Sequence, residues 1–156
     1  MTFLYKLGAP SDGEEVIAQL PRLAAFSHPE RLAAEDFWRG DVETVRRWQQ
    51  GDEPDCFIIL ARSKANELVG VALVRMMPEV MSQHPSCHLE ALTVGTGFEG
   101  QGIGAALIAA AEKEAKIRGA LSMTLNVFKT NSRARKLYDR LGFDDEIYRC
   151  INVFHG

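Results

Sequence analysis

Three closely spaced glycines precede the most apolar helical stretch of the chain. The segment EGQGIGAAL (Glu99 to Leu107) places glycines at 100, 102 and 104. Because glycine inside an element costs roughly 0.5–1 kcal/mol relative to alanine, three of them indicate a need for bare backbone. The first amides of a helix lack intrahelical partners and attract anions. Two interpretations are open: the amides of residues 100–105 hold a phosphate-bearing cofactor, or the glycines form a tight turn that packs a helix on a strand.

Two common phosphate-binding motifs fit this segment poorly. Gly97 and Gly102 have the spacing of a Walker A motif, but Ile103 stands where that motif requires lysine. Gly100, Gly102 and Ala105 match a dinucleotide fingerprint, yet the next predicted strand ends without the acid that would hold a ribose. Both motifs are therefore disfavoured, and the tight-turn interpretation stays open.

The pattern of apolar residues predicts the elements that position the glycines. Period-two alternation and β-branched runs predict strands, whereas apolar residues at helical spacing between caps and glycines predict helices. A strand–helix–strand unit follows a hairpin, so the chain is predicted to form a mixed α/β sheet with helices on both faces. The predicted strands are 2–7, 56–62, 68–76, 88–94, 121–128 and 146–154, and the predicted helices begin at Ser11 or Asp12, Asp41, Gln101 and Asn131.

Length and composition limit the class of protein. A chain of 156 residues predicts one domain, 1–156. A net charge of -3 predicts no nucleic-acid partner, and no apolar run approaches the roughly 20 residues of a membrane span. The start of the chain lacks the pattern of a signal peptide, and the three cysteines are few and odd in number, which predicts a reduced, cytoplasmic protein. The cluster HPSCH has no distant partners, so we expect no metal.

Two motifs in order resemble the GNAT acyltransferase superfamily. The first, R/Q-x-x-G-x-G/A with a following leucine, falls on residues 99–104 and Leu107. The second, Asn-x-x-Ala-x-x-x-Tyr-x-x-x-Gly-Phe, falls on 131–143. The resemblance implies a GNAT fold: a central mixed, mostly antiparallel twisted sheet whose splayed strand pair binds acetyl-CoA. Glu99 stands where the family usually has Arg or Gln, and we expect its side chain to point to water. A register shifted by two residues, on Gln101, loses the leucine.

The resemblance also implies which residues bind coenzyme A. The backbone of Leu92 to Val94 would pair with the pantetheine amides, or it pairs completely with neighbouring strands, and the glycine-segment amides would hold the pyrophosphate. Asn131 would bind the pantetheine arm, or it caps its helix. Charged side chains of the last helix would meet the 3′-phosphate, or they form a solvated face. The predicted cofactor-binding residues are Leu92, Thr93, Val94, Gly100, Gln101, Gly102, Ile103, Gly104, Ala105 and Asn131, and the charged candidates are Lys129, Arg133, Arg135 and Lys136.

Two residues resemble the catalytic groups of the family. Glu90 is the one carboxylate inside a predicted core strand, and the resemblance implies a general base there. The alternatives are a structural carboxylate or a substrate anchor. Tyr138 lies two helical turns after Asn131 and corresponds to the tyrosine that protonates the leaving thiolate. The alternative is an aromatic core residue.

Together these features predict an N-acetyltransferase that transfers an acetyl group to a primary amine of a small molecule or peptide in a ternary complex. The alternative is a catalytically weak CoA-binding or regulatory GNAT-like domain. Exposed strand edges favour a homodimer. Three aromatic residues of the N-terminal half either line the acceptor pocket or fill the core: Phe37, Trp38 and Trp48. Three acids either attract a cationic amine or lie in a solvated loop: Asp52, Glu53 and Asp55.

Overall fold

The chain folds around one five-stranded sheet. The computed structural model describes residues 2–155. The strands lie in the order β1-β2-β3-β4-β5, and every neighbouring pair is antiparallel except β4 and β5, which are parallel. This is the mixed, mostly antiparallel sheet that the sequence predicts. The strands are β1 Leu4–Leu7, β2 Cys56–Arg62, β3 Leu68–Pro78, β4 Pro85–Val94 and β5 Met123–Leu125, and the helices are α1 Gly13–Gln19, α2 Arg39–Gln49, α3 Ile103–Ile117 and α4 Ser132–Arg140.

Helices cover both faces of the sheet, so each face has its own apolar core. On one face α3 buries Ile103, Leu107 and Ile108 against β2, β3 and β4. On the other face α1 and α2 bury residues such as Val16 and Val45. Because β2 and β3 are covered on both sides, their sequences consist almost entirely of apolar residues.

The N-terminal helix α1 lies between two 3-10 turns. A 3-10 turn (Pro10–Asp12) precedes α1, and a second one (Leu20–Ala24) contains Pro21. Asp12 is the residue before α1, as predicted, but its side chain does not cap the helix. Instead it accepts a hydrogen bond from Arg62 at 3.0 Å, which attaches the start of α1 to β2.

The predictions for the C-terminal third are partly wrong. The strand predicted over 121–128 is only Met123–Leu125, and residues 146–154 form no strand. The apolar side chains there are exposed, with Tyr148 at 87% and Phe154 at 89%. Alternation alone does not make a strand, because the backbone groups also need a neighbouring strand to pair with. No helix among residues 2–155 is both long and apolar enough to cross a bilayer.

Candidate active site

The glycine segment presents free amides at the start of α3. Gly102 precedes the helix with a φ of +79°, and Gly100 has a φ of +77°. Both positions face open space, so the backbone conformation is what requires glycine there. The first helical hydrogen bond runs from the Ala106 amide to the Gly102 carbonyl. Among residues 2–155, no group accepts from the amides of Gly102 to Ala105. Free amides at a helix N-terminus are the arrangement that binds anions in other proteins.

Gly104 has a different role from the other two glycines. A Cβ at this position would lie 3.2 Å from the Leu137 Cδ2 atom of α4 and 3.9 Å from Leu92 of β4. Gly104 therefore allows α3, α4 and β4 to approach closely beside the free amides. Both sequence interpretations, the anion site and the tight packing turn, find support in one segment.

The parallel strands β4 and β5 separate next to this anion site. They pair only from Cys87 with Met123 to Leu89 with Leu125. Beyond Leu89, β4 continues to pair with β3 on its other side up to Val94. A cavity of about 840 Å³ lies at this separation. It is lined by Glu90, Tyr138 and all the predicted cofactor-binding residues except Gln101, whose side chain is exposed.

At the C-terminal end of β4, one backbone carbonyl and one side-chain hydroxyl already form hydrogen bonds within the protein. The Val94 carbonyl accepts a hydrogen bond from the Arg22 Nε atom at 3.2 Å. Thr93 points to the opposite face of the sheet, where its hydroxyl donates to Gln19 at 3.3 Å. Only the backbone of Thr93 is therefore available to the cavity.

The sequence predicts that the Glu99 side chain points to water, but the structure shows its carboxylate bound to other groups of the protein. One carboxylate oxygen lies 2.8 Å from Arg22 and the other accepts from the Gly97 amide at 2.8 Å. Hydrogen bonds from its own and the Gly97 backbone amides, with Arg22 and Arg133 nearby, lower the pKa of Glu99. The sequence could not indicate this pair, because Arg22 lies 77 residues away in the 3-10 turn after α1. The Arg22 guanidinium compensates the carboxylate beside the anion site.

Basic side chains outnumber acidic ones on the cavity walls. Arg22, Arg133, Lys136 and Arg140 line the cavity, against Glu90 and Glu99. Of the predicted candidates Lys129 and Arg135 lie outside it, and Arg135 pairs with Asp145 at 3.6 Å and donates to the Lys129 carbonyl. The excess of positive charge suits a polyphosphate ligand.

A β-bulge positions Glu90. Leu73 pairs with Ala91 and Val74 pairs with Leu89, so Glu90 has no opposite residue on β3. A bulge of this kind re-aims a side chain near a site. The Glu90 carboxylate lines the cavity at 28% exposure and accepts from the Arg75 Nε atom at 3.0 Å.

Glu90 belongs to a network of ion pairs that continues through Arg75 and Glu53 to Arg47. Arg75 also donates to Glu53 at 2.8 Å, and Arg47 of α2 donates to the other Glu53 oxygen at 2.8 Å. Hydrogen bonds from Arg75 and then Arg47 lower the pKa of Glu53. Glu53 therefore holds Arg75 in place and is not free to attract a cationic acceptor.

Asp41 is a second carboxylate near Glu90. It was predicted to cap a helix, but it lies inside α2, whose N-cap is Trp38. Burial, and then the negative charge of Glu90, raises the pKa of Asp41 to about 7. The sequence offered no signal for this, since an acid in the first turn of a helix is usually solvated.

Helix α4 brings the second motif to the cavity. The Asn131 Oδ1 atom accepts from the Ala134 amide at 3.3 Å and caps the helix. Among residues 2–155 its amide nitrogen has no acceptor, so it stays available to a ligand. Tyr138 packs edge-on against Phe143 at 5.7 Å, and burial raises its pKa. The Tyr138 hydroxyl thus keeps its proton at neutral pH.

The family model described as the acetyltransferase (GNAT) family matches residues 17–143. The chain belongs to the GNAT acetyltransferase family. No curated protein matches it in sequence. Among solved structures, it is similar to a ribosomal-protein-alanine N-acetyltransferase from Brucella melitensis biovar Abortus 2308 (21% identity, TM-score 0.71, covering 99% of this chain and 100% of that one).

Two further structures have the same fold as this GNAT chain. One is AAC(6')-Iy in complex with the bisubstrate analogue CoA-S-monomethyl-acetylneamine (16% identity, TM-score 0.76, covering all of both chains). The other is an aminoglycoside acetyltransferase from an uncultured soil metagenomic sample (17% identity, TM-score 0.70, covering 98% and 97%). At these identities the likeness establishes the GNAT fold of the chain and leaves its acceptor open.

Proposed function

We propose that this GNAT protein transfers an acetyl group from acetyl-CoA directly to a primary amine of a small molecule or peptide in a ternary complex. The observation that supports it most is the set of free amides from Gly102 to Ala105, which face the cavity between β4 and β5. The neighbours named as ribosomal-protein-alanine and aminoglycoside acetyltransferases supply two amine classes to test.

Three features of the cavity support coenzyme A as its ligand. The amides of α3 and the basic side chains suit a pyrophosphate, because both favour negative charge. The β4 backbone after Glu90 lacks a strand partner on the β5 side, so it can pair with the amides of an extended pantetheine arm. The free amide nitrogen of Asn131 adds a hydrogen-bond donor.

The catalytic groups divide the proton transfers between them. Acetyl-CoA supplies a thioester whose C–S bond breaks as the new C–N bond forms. An ammonium has no lone pair, so Glu90 accepts its proton, directly or through water, before the nitrogen can attack. Arg75 keeps the Glu90 carboxylate oriented toward the cavity. Tyr138 retains a proton at neutral pH and gives it to the departing sulfur. The second proton that the nitrogen loses as the amide forms restores the tyrosine hydroxyl, and the proton on Glu90 passes to water.

Thiol release over a panel of amines tests the proposal. We expect wild-type protein with acetyl-CoA to release thiol faster when amine is added, and Glu90→Gln and Tyr138→Phe each to lower kcat by about 100-fold or more. Glu67→Gln and Tyr148→Phe are matched controls, since both residues are exposed and lie outside the cavity.

Three other outcomes would contradict the proposal in distinct ways. CoA binding without amine-stimulated release would favour the catalytically weak CoA-binding domain. Stabilisation by NAD and none by CoA would indicate a dinucleotide site. Unchanged kcat in Glu90→Gln, with transfer intact, would leave a transferase whose base lies elsewhere.

A further inference from the structure

Three phenylalanines from distant parts of the chain meet at the cavity. Phe26 follows the 3-10 turn after α1, Phe37 ends the 3-10 turn before α2, and Phe128 follows β5. Their ring centroids lie 5.2 Å (Phe26–Phe37), 5.1 Å (Phe37–Phe128) and 5.7 Å (Phe26–Phe128) apart. All three line the same cavity as Glu90. We call them the aromatic wall.

His28 packs against the aromatic wall on the side away from the cavity, and the three rings keep accessible surface. His28 packs against Phe37 at 4.7 Å and against Phe26 at 5.8 Å without lining the cavity. Phe26 and Phe37 are half-buried, and Phe128 is 36% exposed. Rings that touch one another in edge-on and tilted geometries while still facing a cavity can accept one more ring. The two tryptophans considered in the sequence differ, since Trp38 and Trp48 pack on the core beneath α1 and α2.

The charges of the cavity disfavour an acceptor with several positive groups. Glu90 and Glu99 are the cavity carboxylates among residues 2–155, and each already pairs with an arginine. A polycationic acceptor would need further carboxylates to replace its lost hydration, and the aromatic wall offers none. A single amine needs only one carboxylate as its acceptor, and Glu90, which binds Arg75 through Oε1, lines the cavity.

We infer that the acceptor of this site is a monoamine bearing an aromatic ring, with the ring on the aromatic wall and the amine toward Glu90. The inference rests on the proposed transferase function and adds the class of its acceptor. Phe26 and Phe37 are the specificity-determining residues at the centre of this arrangement, because each contacts the other as well as Phe128 and His28.

Three primary amines with acetyl-CoA test the inference: 2-phenylethylamine, n-butylamine and the polycationic amino sugar neamine. We expect kcat/KM for phenylethylamine to exceed that for either of the others by about 10-fold or more, which is the factor that 1.4 kcal/mol of aromatic contact corresponds to. In Phe37→Leu and in Phe128→Leu the phenylethylamine-to-butylamine ratio falls several-fold, mainly through KM. Phe154→Leu, at an exposed ring outside the cavity, keeps the wild-type ratio.

Binding measurements separate this inference from the proposed function. Calorimetric titration of phenylethylamine into CoA-loaded protein should show binding that Phe37→Leu weakens, whether or not turnover occurs. Turnover of butylamine or neamine with no preference for phenylethylamine would overturn the inference and keep the transferase. Bound phenylethylamine without thiol release would overturn the transferase. An unchanged ratio in both leucine variants, or no binding of phenylethylamine, would overturn the aromatic acceptor.

Discussion

Single residues acquire their chemistry here from neighbours that are far away in sequence. The sequence indicates Glu90 as a candidate base because it lies in a predicted core strand. The β-bulge that orients its side chain and the Arg75 side chain that donates to it appear only in the fold. Glu99 looked unfavourable for an anion site until Arg22 was seen beside it. Glu53, considered as an attractor of amines, instead fixes Arg75. At this scale the residue type is readable from the sequence and its partner is not.

Asp41 makes the stability of the protein depend on pH. Its pKa is raised to about 7 in the fold, against about 3.9 in an unfolded chain, so the folded state binds a proton more tightly. That contribution is complete below pH 4 and is lost as the pH rises through 7. Because Asp41 is partly exposed, solvent reduces this contribution to about 1 kcal/mol. We therefore expect Asp41→Asn to melt about 2–4 °C above wild type at pH 8 and to differ little at pH 4.

Thermal melts across pH 4 to 8 measure this effect. Asp52→Asn is the matched control, since Asp52 is exposed in the loop after α2. Parallel pH curves for wild type and Asp41→Asn would show that Asp41 titrates normally and is not coupled to Glu90.

At the scale of elements, the link between β4 and α3 explains why glycine is favoured at these positions. The helix begins from a left-handed residue, Gly102, and its first turn touches α4 at Leu137. The helix itself was predicted from spacing and caps. The way β4 and β5 separate after three paired residues was predicted only through the family resemblance, because periodicity does not report where pairing stops.

Gly102→Ala should destabilise the protein and weaken CoA binding together. A left-handed alanine costs roughly 1 kcal/mol, which lowers the Tm by about 2–4 °C, and relaxation of the turn would misalign the free amides. Gly40→Ala is the matched control: Gly40 lies in α2 with open space around it, and alanine there should raise the Tm slightly. Melting curves and CoA calorimetry measure both properties. A Gly102→Ala protein with wild-type CoA affinity would show that these amides do not bind the cofactor.

On the scale of the whole molecule, the C-terminal segment has no strand partner among residues 2–155. Residues 147–154 expose apolar side chains, and β5 lies at one end of the strand order with β4 as its neighbour. The sequence predicts a strand here because apolar side chains recur along residues 146–154. Within residues 2–155 the segment pairs with no strand.

The predicted homodimer would give this segment a partner. We expect the full chain to have twice its 17.3 kDa mass by light scattering during size-exclusion chromatography, and a chain ending at Asp145 to be monomeric. Unpaired strand-forming segments and sheet edges favour pairing with another copy. A monomeric full-length chain at micromolar concentration, or a dimer that survives the truncation, would contradict this role of the segment.

The sequence by itself determined the order of most elements, the glycine turn at the start of α3 and, through two motifs, the GNAT family, because caps, glycines and periodicity act over a few residues. The tertiary structure alone decided the Arg22–Glu99 pair, the near-neutral pKa of Asp41 and the aromatic wall, since each joins segments tens of residues apart. It also decided that residues 146–154 form no strand in this chain. Charge compensation, burial and strand pairing depend on distances in space, and local sequence patterns do not specify them.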